Sequence, residues 1–477
     1  MLHYNITIAV AKARPVEDGF EKNQIPSWFV IQLIRIRFAK GEEMSLPSPV
    51  DIARRLIQFR TVNPPGDEQA AQEYLRDLLD SAGFEVDFLT NEPGRPNLIS
   101  RLGGSGERPP LLLYGHADVV GVEGQLWDQP PFDAEVVDGM LYGRGALDMK
   151  AGVAMLVHAL LRARSEGIEP SGDILLAIVV DEETGGSQGM QFLLERHGQL
   201  FNGIEHAIGE FGGFPLYAFG KKFYRIGVSQ KQYAHVFLRF RGPGGHGSLP
   251  AYDTVMNQLG EALQLLDQAK MPYYKTELAE RIVNTMCREL PIHAQDTLQG
   301  LLEPGSFEAA LASLGKGSER FESLFRDTAN ATVVRSGGKF NVIPSEAEVE
   351  IDARMLPGRS TEDLLNNLQK LLGDQVEIEV LAAGPQTKPE VDYALFNTLA
   401  GILTDLDPDG IPIPYLFNES PDGRLLEAHG MQNYGFLPMN LPPEIDLPTL
   451  IHAENERLPV ASIEFGAEAL LELLRRY

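Results

Sequence analysis

The residues best suited to chemistry in this 477-residue chain are histidines and carboxylates that directly follow short apolar runs. Residues 111–114 have the length and composition of a buried strand, and His116 and Asp118 come just after them. Side chains two positions apart on extended backbone point to the same side, so the imidazole can bind a metal while the carboxylate orients it. For these two residues alone, a plain hydrogen bond without a metal is the alternative.

Further candidates occupy comparable places later in the chain. Glu182 and Glu183 follow an apolar run of strand length and precede two glycines, so a buried strand would deliver both to one edge of a sheet. Neighbouring carboxylates in a partly dry site repel each other, and one of them then needs a cation or a proton. A solvated surface loop is the alternative for such a pair. The remaining candidates, each after a glycine-rich turn or a short apolar segment, are Asp148, Glu210 and His452.

The apolar periodicity from residue 49 onward predicts helices that alternate with strands. Helices are predicted at 49–59, 68–83 and 151–163, and strands at 84–90, 97–102, 111–119 and 173–180. Strands separated by helices favour an α/β fold with a mixed, mostly parallel sheet covered by helices on both faces. Ligands of such sheets gather at the carboxyl ends of the strands, which is where the candidate residues lie.

Charge and cysteine content exclude several classes of function. The chain has 67 acidic and 41 basic residues, a formal charge of −26, which disfavours nucleic acid and anionic membranes as partners. A single cysteine, Cys287, excludes an intrachain disulfide framework and a cysteine-based metal site. We therefore expect a cytoplasmic protein in which His, Asp and Glu hold any metal.

Residues 1–43 differ in character from the rest. Their apolar segment, 27–38, is interrupted by arginines, is too short to span a bilayer and lacks a cleavage signal. Amphipathic contact with a membrane is one alternative. We predict instead that Met44 is the native start, because residues 39–43 can be encoded by purine-rich codons that contain a ribosome-binding sequence.

The pattern changes between residues 223 and 385. Four strands and two helices are predicted there, which is the plan of a ferredoxin-like α+β domain. We expect this domain to be inserted into the α/β domain, which would be the catalytic domain. This domain would divide the catalytic domain into residues 44–222 and 386–477. Residues 272–323 form an additional helical insertion within it, to which the sequence assigns no role.

Seven segments in order carry a family resemblance. They are GHADVV, GRGALDMKAG, DEETGG, GEFGG, GGHGS, NVIPSEAEVEIDAR and HAENE. In these segments the sequence resembles the M20 family of metallopeptidases and amidohydrolases. That family includes aminoacylases, glutamate carboxypeptidases, acetylornithine deacetylase, succinyl-diaminopimelate desuccinylase and vacuolar-carboxypeptidase-like enzymes.

The resemblance implies a site for two zinc ions. By position, His116 and Glu210 would bind the first ion, Glu183 and His452 the second, and Asp148 would bridge both. Imidazole and carboxylate ligands also suit cobalt or manganese. At Glu210 an aspartate is also common in the family, and the longer side chain could alter the metal spacing and substrate choice.

The resemblance also implies the roles of residues around the metals. Glu182 would be the general base that passes a proton to the departing amine, and Asp118 would orient His116. Neither of these two would itself be a ligand. Glu456 and Arg424 match family positions too, and we interpret them as structural.

Three residues of the inserted domain are candidates for substrate contact. His246, among glycines, would donate to the developing oxyanion, with an ordinary loop histidine as the alternative. Asn341 and Arg354 would hold the substrate's carboxylate, although a structural ion pair is the alternative for Arg354. The resemblance further implies that this domain is a lid that also forms a homodimer.

These observations together predict a two-metal hydrolase of the dipeptidase or aminoacylase type. Its substrates would be N-acyl amino acids or short peptides with a free carboxylate. The alternatives are an N-acetyl or N-succinyl amino-acid deacylase of biosynthesis, or a catalytically silent metal-binding homologue. Glu182 argues against a silent homologue, because a protein that only binds metal has no need of a general base.

Overall fold

The computed structural model describes residues 46–477. The predicted N-terminal extension and the predicted start at Met44 lie outside these residues. No helix within 46–477 has both the length and the apolar character needed to cross a membrane.

The described residues form eighteen strands and thirteen helices. The strands are β1 Val86–Thr90, β2 Pro96–Leu102, β3 Leu111–His116, β4 Val136–Val137, β5 Met140–Tyr142, β6 Ile174–Val179, β7 His206–Gly209, β8 Phe214–Ala218, β9 Lys221–Gln230, β10 Gln232–Arg241, β11 Gly245–His246, β12 Thr328–Ser336, β13 Val342–Ile343, β14 Glu346–Met355, β15 Glu377–Ala383, β16 Gly410–Phe417, β17 Gln432–Gly435 and β18 Arg457–Pro459. The helices are α1 Pro49–Gln58, α2 Gln69–Ser81, α3 Lys150–Glu166, α4 Met190–Arg196, α5 Val255–Gln268, α6 Glu277–Arg288, α7 Ile292–Gln299, α8 Phe307–Leu314, α9 Glu319–Glu322, α10 Thr361–Leu372, α11 Phe396–Leu406, α12 Gly423–Ala428 and α13 Val460–Arg476.

A nine-stranded sheet organises the catalytic domain. Its order is β1-β2-β6-β3-β7-β17-β9-β16, with β8 paired to β9. The central pairs β6–β3, β3–β7 and β7–β17 are parallel, as is β9–β16, while β1, β2 and β8 join their neighbours antiparallel. The predicted α/β class with a mixed, mostly parallel sheet is therefore confirmed.

Helices cover both faces of this sheet. Along β3, Leu111 and Leu113 join the core formed with α1, α3 and α13, whereas Leu112 and Tyr114 join a second core formed with α4. A strand buried on both faces needs apolar side chains at every position, which explains its unbroken apolar run. The parallel register aligns Leu111 with Ile174 and His116 with Val179, so β3 and β6 end at the same edge.

The lid is an antiparallel sheet in the order β12-β14-β10-β15. Alternate residues of β10, such as Val236 and Leu238, are buried against α5 and α10, which supply Leu259 and Leu364 to the same core. This connection order and the two helices on one face confirm the predicted ferredoxin-like plan. A separate two-stranded ribbon of β11 and β13 carries His246.

The structure moves the predicted boundaries of the lid. Residue 223 lies inside β9, which pairs with β16 in the large sheet, so the lid begins only after Lys231. The insertion 272–323 forms α6 to α9, and its Leu278 and Ile282 belong to the core of the catalytic domain. Helix α6 packs on β16 of the large sheet. The insertion lies between lid elements in sequence, but it packs on the catalytic domain as an additional layer.

We predict that Ile282→Ala destabilises the whole catalytic domain. Ile282 is 2% exposed on α6, and truncating a buried isoleucine costs about 2–5 kcal/mol. The matched control is Ile292→Ala on α7, since Ile292 is 75% exposed and its loss should change the free energy of unfolding by no more than about 0.5 kcal/mol. Denaturant unfolding measures both. Equal effects of the two variants would contradict this placement of the insertion.

Candidate metal centre

The five predicted ligands converge at the carboxyl edge of the large sheet. His116 is the last residue of β3, Asp148 precedes α3, Glu183 lies in a short turn after β6, Glu210 follows β7, and His452 precedes β18. They form two clusters within which the possible ligand atoms all lie within 4.8 Å of one another. Five elements, four between residues 116 and 210 and the fifth at residue 452, thus bring one acidic or imidazole side chain each to a common place.

Asp148 belongs to both clusters. In the first, His116 Nε2 lies 3.0 Å from Asp148 Oδ1 and 3.2 Å from Glu210 Oε2. In the second, His452 Nε2 lies 3.1 Å from Asp148 Oδ2 and 3.2 Å from Glu183 Oε2. One carboxylate oxygen therefore faces each cluster, which is the arrangement that a bridging ligand requires.

The site has a strongly negative potential. Burial raises the pKa of Glu210 to about 7, and burial followed by the charge of Asp148 raises the pKa of Glu183. Hydrogen bonds to Asp148 and Glu183 raise the pKa of His452 to about 10. Burial opposes protonation of His116, yet the surrounding carboxylates hold its pKa well above its usual range. The protein thus favours positive charge at both clusters.

Several buried carboxylate oxygens in the described residues have no hydrogen-bond donor. Both oxygens of Glu210 and the Oε1 atom of Glu183 are in this position. Buried polar atoms are nearly always satisfied, so orphaned carboxylate oxygens beside other ligand-type side chains are compatible with cation binding. The donor set of imidazole nitrogens and carboxylate oxygens, without sulfur, suits zinc, cobalt or manganese. The residues therefore fit a pair of divalent cations.

Asp118 contacts His116 through both its backbone carbonyl and its carboxylate. Its backbone carbonyl lies 3.0 Å from His116 Nδ1, nearer than its carboxylate at 3.5 Å. The carboxylate also accepts from the side chain of Asn63 at 2.8 Å and from the backbone N–H groups of Glu182 and Glu183 at 3.3 and 3.2 Å. Asp118 thus contacts both the imidazole and the turn that carries the two glutamates.

Asp181 is the centre of that turn and lies in left-handed backbone conformation with φ of 70°. Its Oδ1 accepts from Thr184 Oγ at 2.6 Å and from Asn63 and Arg95 at 3.2 Å. Its Oδ2 accepts from Ser187 Oγ and the N–H of Gln188, both at 3.0 Å. Sequence reasoning missed Asn63 and Arg95 because both lie in loops far from residue 181 and outside any periodic pattern.

Glu182, the predicted general base, differs from its neighbours. Its carboxylate makes no hydrogen bond to any of residues 46–477, and burial, then the charge of Glu210, raises its pKa well above the usual range. Another buried carboxyl, Asp422, likewise lacks a donor on both oxygens, and burial raises its pKa to about 6. Asp422 was not among the predicted residues, since nothing around it in sequence distinguishes it from a loop aspartate.

Glu456 and Arg424 both hold backbone segments. Glu456 is fully buried, pairs with Arg144 at 2.5 Å and accepts from the N–H groups of Leu147 and Asp148 at 2.6 and 3.2 Å. Arg424 donates to the carbonyl oxygen of Gly185 at 2.9 Å, beside the turn of Glu182. These contacts position loops rather than substrate.

The contacts of the three lid candidates are local to the lid. None of them forms a hydrogen bond or an ion pair with the five ligands within the part of the chain that the structure describes. His246 is exposed, with Nδ1 2.7 Å from Ser248 Oγ, and the carbonyl oxygen of Asn341 accepts from Gly247 on the neighbouring strand. The guanidinium of Arg354 makes two hydrogen bonds to Asp352, at 2.9 and 3.0 Å.

Comparison with known proteins places the chain among hydrolases. Residues 112–476 match the family model of peptidase family M20/M25/M40. The N-fatty-acyl-amino acid synthase/hydrolase of Homo sapiens is 28% identical over 392 residues, covering 80% of this chain and 76% of that protein. Aminoacylase-1 of Sus scrofa is 26% identical over 450 residues, covering 91% and 96%.

Solved structures share the fold. An M20 family metallo-carboxypeptidase from Sulfolobus solfataricus superposes with a TM-score of 0.63 at 16% identity, covering 90% of this chain and 99% of that one. At this identity the likeness concerns the architecture alone.

We predict that metal content depends on these residues unequally. The wild-type protein should bind two zinc or cobalt ions, Asp148→Ala should lose both because its oxygens face both clusters, and His452→Ala should lose one. The matched control is His206→Ala, since His206 pairs with Asp392 rather than with any ligand and should retain two ions. Elemental analysis of dialysed protein measures this. Asp148→Ala with full metal content would refute the shared ligand.

Proposed function

Because the chain belongs to peptidase family M20/M25/M40, we propose that it is a two-metal hydrolase that cleaves the amide bond of N-acyl amino acids or short peptides. The observation that carries this proposal is the pair of three-residue clusters that share Asp148. We place the enzyme in the cytoplasm, on the strength of its charge of −26 and its single cysteine.

The proposed metal ligands are the five residues of the two clusters. His116 and Glu210 would hold one cation, Glu183 and His452 the other, and Asp148 both, with zinc as the first choice. When bound, the cations supply Lewis acidity that polarises a carbonyl group and makes water a nucleophile near neutral pH. The orphaned oxygens of Glu210 and Glu183 support this assignment.

Glu182 is the proposed general base. It lies one residue from a ligand, and its carboxylate is not engaged by any donor among the described residues, so it is free to accept a proton from water and deliver it to the departing amine. Its backbone is fixed by Asp118, which accepts the Glu182 N–H. A rigid backbone with an uncommitted carboxylate is what proton transfer in both directions requires.

The substrate's free carboxylate is assigned to the lid. Arg354 presents a planar fork suited to a carboxylate, and its present partner, Asp352, is partly exposed and could be exchanged for one. Asn341 would provide a second, neutral contact. The human relative is named as an N-fatty-acyl-amino acid synthase/hydrolase and the pig relative as an aminoacylase, and both names support N-acyl amino acids as a substrate class.

His246 is the proposed donor to the oxyanion, and we propose that it acts in the partner subunit's site. Apolar side chains near it are exposed, among them Leu249, Tyr252 and Phe340. With Val342 and other residues, Leu249 and Phe340 line an open groove of about 690 Å³. Exposed apolar surface of this kind is typical of an interface, here with a second copy of the chain.

We predict that the protein hydrolyses N-acyl amino acids only when it holds metal. A panel of N-acyl amino acids and dipeptides, assayed by release of the free amine, should show activity that chelation abolishes and zinc or cobalt restores. Glu182→Gln should lower turnover by at least about 10²-fold because it cannot accept a proton, with its metal content unchanged.

The matched control for that experiment is Glu195→Gln, on exposed surface of α4, which should keep full activity. Activity in thoroughly metal-free protein would exclude the two-metal mechanism. Loss of a metal from Glu182→Gln would show that Glu182 is a ligand and that its role has been exchanged with that of Glu183.

We predict that two inactive variants complement each other. His246→Ala should lose about 10²–10³ in turnover with its metals intact, the usual effect of removing an oxyanion donor. Mixing it with Glu182→Gln under conditions that exchange subunits should restore activity, because each mixed dimer would contain one intact site. Mixed dimers without activity would place His246 in its own subunit's site or outside catalysis.

A further inference from the structure

The loop 121–128 is hydrogen-bonded to the loop that carries His452. Gln125 Nε2 donates to the backbone carbonyl of His452 at 2.8 Å. The backbone N–H groups of Leu126 and Asp128 donate to the side chains of Glu454 and Asn455 at 2.8 and 2.7 Å. Three hydrogen bonds therefore join two segments that lie more than 300 residues apart in sequence.

His452 needs such support more than the other proposed ligands do. Its side chain is 48% exposed, whereas those of the other four are nearly fully buried. Its backbone adopts the left-handed conformation, with φ of 61°, which is unfavourable for a residue other than glycine. An exposed ligand on strained backbone keeps its place only if neighbouring groups hold it.

Gln125 also belongs to a chain of contacts that reaches the bridging ligand. Its Oε1 accepts from Arg144 Nη2 at 2.9 Å, and Arg144 Nη1 donates to Glu456 at 2.5 Å. Glu456 in turn accepts the backbone N–H of Asp148 at 3.2 Å. These hydrogen bonds thus connect the backbone of His452 to the backbone of Asp148, two of the three residues of the second cluster.

An amide is the one side chain of this length that can make both contacts. The carbonyl of His452 requires a donor, and the guanidinium of Arg144 requires an acceptor. The indole N–H of Trp127 also donates to Gln125 Oε1, at 3.1 Å, and its ring lies 5.4 Å from the Arg144 guanidinium. The two donors to Oε1, from Trp127 and Arg144, fix the orientation of the amide, so its NH₂ group is directed to His452.

We propose that Gln125 is a positioning residue that holds the backbone of His452 in place relative to Asp148. It thereby sets the affinity of the metal position formed by Asp148, Glu183 and His452. The inference rests on the proposed two-metal function. Gln125 acts on the main chain of His452 and not on its imidazole, so it is not itself a ligand.

The test is calorimetric titration of metal-free protein with Zn²⁺, together with the melting temperature. Gln125→Leu should weaken one of the two binding events by about 10- to 100-fold, the usual effect of losing a group that orients a ligand, and leave the other within about twofold. Gln125→Glu should weaken the same event, because it can still accept from Arg144 but cannot donate to His452. Leu126→Ala is the control, since only its exposed side chain is removed and its N–H is retained.

The two variants at residue 125 separate positioning from general stability. If Gln125→Leu unfolds, Gln125→Glu decides alone, because it keeps the contact to Arg144. Normal binding of both ions by Gln125→Glu, or equal weakening of both events, would overturn the inference and leave the two-metal function standing. Wild-type protein that binds fewer than two ions would overturn the proposed function and this inference with it.

Discussion

The crowding of buried carboxylates at one edge of the large sheet is the constraint on which the rest of the structure depends. Glu182, Glu183 and Glu210 lie near Asp148, and within the described residues the opposing charges in contact with this group are the imidazoles of His116 and His452. Such a group is unfavourable unless cations join it. The fold must therefore hold these side chains together against their repulsion.

The surrounding carboxylates show how the fold does so. Asp118, Asp181 and Glu456 are as deeply buried, but each accepts several hydrogen bonds from backbone N–H groups, arginine or side-chain amides. Those with donors fasten loops to one another, and those without donors, Glu210 and Glu183, face the proposed cations. Asp118, Asp181 and Glu456 therefore fix the backbone of the site, whereas Glu210 and Glu183 retain oxygens that are available to a cation. Asp422, buried and without a donor, is an exception that the proposed chemistry leaves unused.

The lid is connected to the catalytic domain by more than its two chain crossings. At the first crossing Lys231 is fully buried and donates to the carbonyl of Arg326, and burial lowers its pKa to about 8. The helical insertion leaves the lid and returns to it through the core of the catalytic domain. Its Arg320 makes two hydrogen bonds to Asp446, at 2.8 and 3.0 Å, in the segment that leads to His452. The insertion therefore contacts the segment that precedes His452.

The sequence by itself determined the main elements and the edge of the sheet at which the candidate ligands lie. Unbroken apolar runs locate β3 and β6, and a residue that ends such a run must lie at the sheet edge, as His116 and Glu183 do. The four strands and two helices predicted between residues 223 and 385 likewise indicated the lid sheet, and alternate residues of β10 and β14 are buried in its core. These signals are local, since burial on one face or both is written into neighbouring residues.

Only the tertiary structure decided which distant groups meet. Strand alternation predicted that the Asp118 carboxylate meets His116, and these groups lie 3.5 Å apart, but only the tertiary structure shows that the Asp118 carbonyl lies nearer, at 3.0 Å. The packing of the insertion in the catalytic core and the contacts of Asn63 and Gln125 likewise could not be inferred from the sequence. Each depends on contacts between segments that are far apart in sequence and close only in the folded structure. No periodicity along the chain encodes such contacts.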